Sequence, residues 1–304
     1  MSTIIKHHVR ERARGHRRDL GDGFIVSRVL PAMHHHAVGP FVFLDHLGPV
    51  TLSADQAMDV RPHPHIGLAT VTYLWEGRVE HRDGLGNVQL IEPGAVNWMT
   101  AGCGIVHSER TPAADRGKPR TMHGLQLWVA LPLDQEQGEP AFEHTEVSAL
   151  PTLEFDGIRG RVVAGSAYGR RSPVTVPGSL FYVDAYVPQG RRLPLPGEHA
   201  QRAAYVVAGG MHAGDEPLLR GELATFEPGT DVAPVADIDT HVVLLGGAPL
   251  DAQRYLWWNY VASSEARLEE ARQAWRDRAY PMVAADPEFI PLPERREVFN
   301  CTAG

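Results

Sequence analysis

Short apolar runs, cut at close intervals by glycine, proline and aspartate, set the pattern of this chain. Phe24-Ile25-Val26, Phe41-Val42-Phe43-Leu44, Ala69 to Leu74, Leu125 to Val129 and Phe181 to Val187 are rich in β-branched and aromatic side chains, which suit a pleated, half-buried strand. Between Pro62 and Gly165 no convincing helical period is present. A weak internal repeat links the halves. Tyr73 to Gly77, Pro93-Gly94 and Ile105-Val106-His107 are echoed by Ala204 to Gly209, Pro228-Gly229 and His241 to Leu245, which predicts two copies of one β-barrel unit. One helix is predicted near the end. Ser263 is its expected N-cap and Glu265 stands in its first turn, where the helix dipole favours an acid. Leu268, Ala271 and Trp275 share one face, and Pro281 is the expected stop. The proline-bounded polar stretch from Pro132 to Pro140 is the expected link between the halves.

Composition agrees with this picture. At roughly 150 residues per domain, 304 residues predict two domains, and 30 glycines and 24 prolines suit many short strands better than a helical protein. A formal charge of -8 argues against nucleic acid or an anionic membrane as the main partner. The five arginines between Arg10 and Arg18 are accordingly read as a solvated loop before the first strand. Cys103 and Cys301, far apart, form no disulfide framework. The N-terminal residues lack the apolar segment of a secretory signal, and no run approaches the roughly 18 apolar residues of a membrane span. The expectation is a cytoplasmic protein.

The chemistry concentrates in two short motifs. In His63-Pro64-His65 the imidazoles stand at i and i+2, so on a strand they point to one face; Pro64, lacking an amide donor, suits an edge strand. With sixteen histidines in the chain, one such pair could arise by chance. A second pair, His107-Ser108-Glu109, repeats the spacing with one imidazole and one carboxylate. The intervening chain has the length to place the two pairs on facing strands. Three nitrogens and one oxygen suit iron, and manganese, nickel or copper less well; a structural zinc site would be closed and usually thiolate-rich. His199 and His241 have no partner at i+2, since Gln201 and Val243 fill those places, and are not expected to bind metal.

Pro62-His63-Pro64-His65, Thr70 to Leu74, Trp98 to Glu109 and Met122 to Trp128 resemble the pirin family of the cupin superfamily. The likeness is dense from about Gly21 to Pro132 and looser beyond. It implies an all-β fold of two tandem cupin barrels with a short C-terminal helix. The metal-binding barrel would span residues 1–135 and a barrel without metal 136–304. His63, His65, His107 and Glu109 stand where pirins place their ligands. Two departures matter. The glutamate that many cupins carry four or five residues after HxH is replaced by Ala69 and Thr70, so the carboxylate role falls on Glu109. Cys103 lies in the loop leading to His107; whether it faces the metal is open, and a buried, inert cysteine is expected.

Some pirins resemble quercetin 2,3-dioxygenases. The resemblance implies one divalent metal, Fe(II) first, with Mn, Ni, Cu or Zn as alternatives, and a flavonol substrate. Glu109 would take the proton of the flavonol 3-hydroxyl, and ring opening by dioxygen would release carbon monoxide and a depside. Phe43, Trp98 and Met99 are placed at the pocket rim from their positions alone, core packing being the alternative. The other reading that the family carries is an iron-dependent redox-sensing regulator acting through a protein partner. In either case a monomer without direct contact to nucleic acid or membrane is expected.

Overall fold

The structure, a computed structural model, describes residues 9–19, 25–32, 37–294 and 298–301; Phe24 of the first expected strand lies outside them. The described residues form many short strands and one α-helix, grouped in two compact units that are each discontinuous in sequence. One comprises His16–Pro31, Val42–Val147 and Leu250–Gly304, the other Met1–Gly15, Ala32–Phe41 and Ser148–Pro249.

In the first unit a seven-stranded antiparallel sheet runs in the order Ala141–Thr145, Val96–Thr100, Leu68–Glu76, Arg120–Ala130, Phe41–Leu52, Ile25–Leu30, His16–Asp19. A four-stranded sheet runs Val60–His65, Ile105–Arg110, Val79–Asp83, Val88–Ile91. Val26, Leu47, Leu74 and Met122 from the large sheet pack with Val79 and Ile91 from the small one, which gives this barrel a core of its own. Strand Val60–His65 lies at a sheet edge, so the missing amide of Pro64 costs no ladder bond that a central strand would need.

The second unit repeats the scheme. Its large sheet runs Val9–Arg14, Glu222–Phe226, Gln201–Ala208, Thr240–Gly247, Leu180–Val187, Ile158–Ala167, Thr152–Phe155. A small sheet runs Glu216–Leu219, Gly210–Ala213, Val235–Ala236. Strand order therefore equates Leu68–Glu76 with Gln201–Ala208. Both end at a glycine that only a residue without Cβ adopts readily, Gly77 at φ 86° and Gly209 at φ 88°. The expected register of the repeat fails further on. Thr240–Gly247 occupies the place of Arg120–Ala130 rather than of the His107 strand, and Pro228-Gly229 follows its neighbouring strand where Pro93-Gly94 precedes one. The counterpart of the His107 strand is the two-residue Val235–Ala236, bridged to Arg192. Around it Leu193, Leu195, Val232 and Ala236 lie in the apolar core.

Two local expectations are corrected. Arg10 to Arg18 is strand rather than loop: Val9–Arg14 pairs with Glu222–Phe226, and His16–Asp19 with Ile25–Leu30. Glu222, itself buried, accepts from Arg12 at 3.1 Å and lies 3.6 Å from Arg14, which compensates part of the positive charge. The helix spans Glu265–Arg276 with Ser264, not Ser263, as N-cap; Ser263 donates instead to the Glu136 carboxylate. It ends before Pro281, where Arg278 adopts a left-handed φ of 52° and closes back on Trp275 O. Leu268, Ala271 and Trp275 form its buried face as expected.

Candidate metal centre

Strands Val60–His65 and Ile105–Arg110 are antiparallel neighbours, with His63 opposite His107 and His65 opposite Ile105. Side chains alternate along each strand, so the three imidazoles emerge on one face. Their ring centroids stand 4.4–5.0 Å apart. One ring nitrogen from each of His63, His65 and His107 lies within 4.8 Å of the others, and Nε2 of His65 is 3.1 Å from Nε2 of His107. His63 Nδ1 donates to Arg61 O at 2.8 Å and His65 Nδ1 to Asn259 O at 2.9 Å. A carbonyl only accepts, so both rings carry their proton on Nδ1 and turn a bare Nε2 inward.

All three rings are buried, and burial opposes the charged form. It lowers the pKa of His63 to about 4 and those of His65 and His107 well below the ordinary 6.5. Neutral imidazole is the form that ligates metal. Three neutral rings with converging nitrogens thus fit a divalent transition metal.

Glu109 follows a register shift in the ladder and stands opposite Val60. It is buried and lines the same cavity as His63 and His65, but it is not one of the three residues whose ligand atoms lie within 4.8 Å of one another. Burial raises its pKa to about 7, with Thr72 Oγ1 at 3.5 Å opposing only weakly. The cavity is about 330 Å³ and is lined from both sheets of the barrel. On one wall Phe43 stacks on Trp128 at 3.9 Å, the Arg28 guanidinium lies 4.4 Å above Phe43, and Arg28 grips Asp45 through two 2.8 Å bonds. Burial pushes the Asp45 carboxyl up while Arg28 draws it down, and burial prevails.

Of the residues expected at the rim, Phe43 lines the cavity. Trp98 and Met99 are core residues, Met99 packing with Ala101, Ile105 and Phe142. Cys103, expected to be buried, is instead exposed, and it lies outside the histidine trio. His241 Nε2 lies 2.6 Å from Asp184 Oδ1, and His199 Nε2 lies 2.8 Å from Ser166 O. Sequence reasoning missed His81 and Asp83, both buried beside His107. Their i, i+2 spacing on a strand was the same signal that singled out His63-Pro64-His65 and His107-Ser108-Glu109.

Fold and site together define a two-barrel cupin-type protein with a histidine cluster suited to a metal ion. The pirin family profile matches residues 23–129 and the pirin C-terminal cupin domain profile residues 182–281; the chain belongs to the pirin family. A pirin-like protein of Caulobacter vibrioides is 45% identical over 91% of this chain and 97% of its own. The crystal structure of a quercetin 2,3-dioxygenase from Acinetobacter baumannii is 35% identical, with a TM-score of 0.84 over 95% of this chain and 97% of that one. A second quercetin 2,3-dioxygenase structure from the same organism is 25% identical with the same TM-score, over 90% and 98% of the chains.

Proposed function

We propose that this protein is a metal-dependent dioxygenase that opens the ring of a flavonol such as quercetin, using iron(II) held by His63, His65, His107 and Glu109 in its N-terminal barrel. The observation that carries this reading is a buried carboxylate beside three neutral imidazoles, opening into a cavity of about 330 Å³ with a stacked aromatic wall. The A. baumannii relative, named for this activity, supports it.

The bound metal would supply Lewis-acid stabilisation of an ionised substrate oxygen and one-electron chemistry with dioxygen. The chain's own residues would do the rest. In the metal-free protein burial raises the Glu109 pKa to about 7; as the carboxylate among these four residues, Glu109 would take the proton of a flavonol 3-hydroxyl. The Phe43–Trp128 wall would orient a flat substrate and exclude water, and the Arg28–Asp45 pair would meet its polar substituents.

Anaerobic titration of iron-loaded protein with quercetin, followed by oxygen, tests this. Carbon monoxide release is expected. Binding without turnover would sink the proposal in favour of a redox-switched regulator. Glu109→Gln keeps an oxygen able to coordinate but no useful base. It should retain much of its metal and still bind quercetin, yet lose turnover by a factor on the order of 10²–10⁴. A metal-replete variant working at the wild-type rate would eliminate Glu109 as the base.

A further inference from the structure

His63 and His65 are each held by a main-chain carbonyl, but the partner of His107 Nδ1 is another imidazole, Nδ1 of His81 at 3.4 Å. Nε2 of His81 lies 3.0 Å from Oδ2 of Asp83. The ladder explains the alignment. Strand Val79–Asp83 runs antiparallel to Ile105–Arg110, with Asp83 opposite His107 and His81 opposite Glu109. Residues opposite one another share a face, so a His-x-Asp pair is laid directly over the His-x-Glu pair. His107, His81 and Asp83 are 1%, 4% and 1% exposed, so water is a poor substitute for any of these contacts.

Asp83 is a fixed acceptor. Its Oδ1 accepts from the amides of Leu85 and Asn87 at 3.0 Å each, and the Asn87 side chain donates to both oxygens at 3.1 and 2.9 Å. Burial raises its pKa, but the bonds from His81 and Asn87 outweigh that and hold the carboxyl below its ordinary range. A carboxylate only accepts, so His81 must carry its proton on Nε2. In the neutral ring Nδ1 is then bare and accepts from Nδ1–H of His107. Nε2 of His107, which faces His65 Nε2, is left without a proton. His81 is kept flat by stacking on Phe142 at 4.3 Å and 14°.

We propose that Asp83 and His81 are a positioning relay that fixes the tautomer and orientation of His107, and that the buried carboxylate, acting through His81, makes His107 a stronger metal donor than the carbonyl-anchored His63 and His65. This rests on the reading that His107 holds the metal. Hydrogen-bond partners of ligating histidines typically matter by 10–100-fold in metal affinity.

Two substitutions separate this role from packing. His81→Phe keeps a flat ring against Phe142 but offers His107 no acceptor. His81→Asn places an amide oxygen near the position of Nδ1 but gives up the stack. The relay requires Asn to outperform Phe; packing alone requires the reverse. Manganese(II) affinity of the full chain, measured by chelator competition with folding checked by circular dichroism, should fall about 10–100-fold in His81→Phe and recover in large part in His81→Asn. In metal-free protein, ¹⁵N ring spectra should show His107 protonated on Nδ1 in the wild type and in His81→Asn, and partly on Nε2 in His81→Phe. Wild-type affinity and an unchanged tautomer in His81→Phe, or Phe equal to or better than Asn, would overturn the relay. His107→Ala with undiminished manganese affinity would overturn the metal assignment and with it the donor claim, whereas the ring spectra judge the tautomer without metal.

Discussion

His107 is the hub of the site, because it faces His63 across the ladder, His65 through Nε2 and His81 through Nδ1. His107→Ala should therefore remove most bound metal on elemental analysis of folded protein. His241→Ala should leave metal content unchanged, since His241 is bound to Asp184, stacks on Tyr186 at 4.1 Å and lies outside the histidine group found among the described residues. Equal loss in both variants would show that the cluster is misread. The two motifs were legible in the sequence because a strand has a period of two and each repeats at i, i+2. That the ligand atoms of three of the four side chains lie within 4.8 Å of one another, with Glu109 outside that group but on the same cavity, was not legible. Nor was the register shift between His107 and Glu109, which no residue type announces.

At the scale of elements, the helix shows how a peripheral piece supports the centre. Its buried Leu268 and Ala271 pack with Ile66 and Tyr260, and Trp275 packs with Val106. Ile66 follows His65 and Val106 precedes His107, so the helix backs both strands that carry the clustered histidines. Leu268, fully buried, should cost about 2–5 kcal/mol on truncation to alanine, through lost burial and the cavity left behind. Denaturant unfolding checks this; a loss well under about 1 kcal/mol would mean that the helix lies loosely on the barrel. Its amphipathic face was readable from the 3.6-residue period. Its cap was misplaced by one residue because Ser263 and Ser264 are chemically alike, and only Glu136, 127 residues away, separates their roles.

Across the whole molecule, the buried histidines make stability depend on pH. Each has a folded pKa below the unfolded value of about 6.5. Below that value the unfolded chain binds more protons, so their contribution is full above about pH 6.5 and is lost as pH falls toward about 4, the folded value for His63. Glu109 works the other way. Its pKa is raised to about 7, so its contribution is present at low pH and lost as pH rises through 7. Three groups outweigh one, and metal-free protein should lose stability between pH 6.5 and 5 in denaturant titrations. A flat or rising midpoint on acidification would contradict this. Metal should raise the midpoint at neutral pH, but chelation there should leave the protein folded, since each barrel has its own apolar core.

The sequence by itself determined the all-β character, the doubling of the barrel, the buried face of the helix and the identity of the clustered histidines. All of these follow from local periods and turn residues, which act over a few positions. Tertiary structure decided what depends on partners distant in the chain. The carbonyl that sets the His65 tautomer comes from Asn259, 194 residues on. Arg12 and Arg14 became a strand because Glu222 and its neighbours offered a ladder and a countercharge. Val9–Arg14 joined the second barrel, while Phe299–Cys301 paired with Arg254–Trp257 in the first unit. One barrel gathered imidazoles where the other gathered leucine and valine, because residues that look alike as isolated strand positions acquire their meaning only from what faces them.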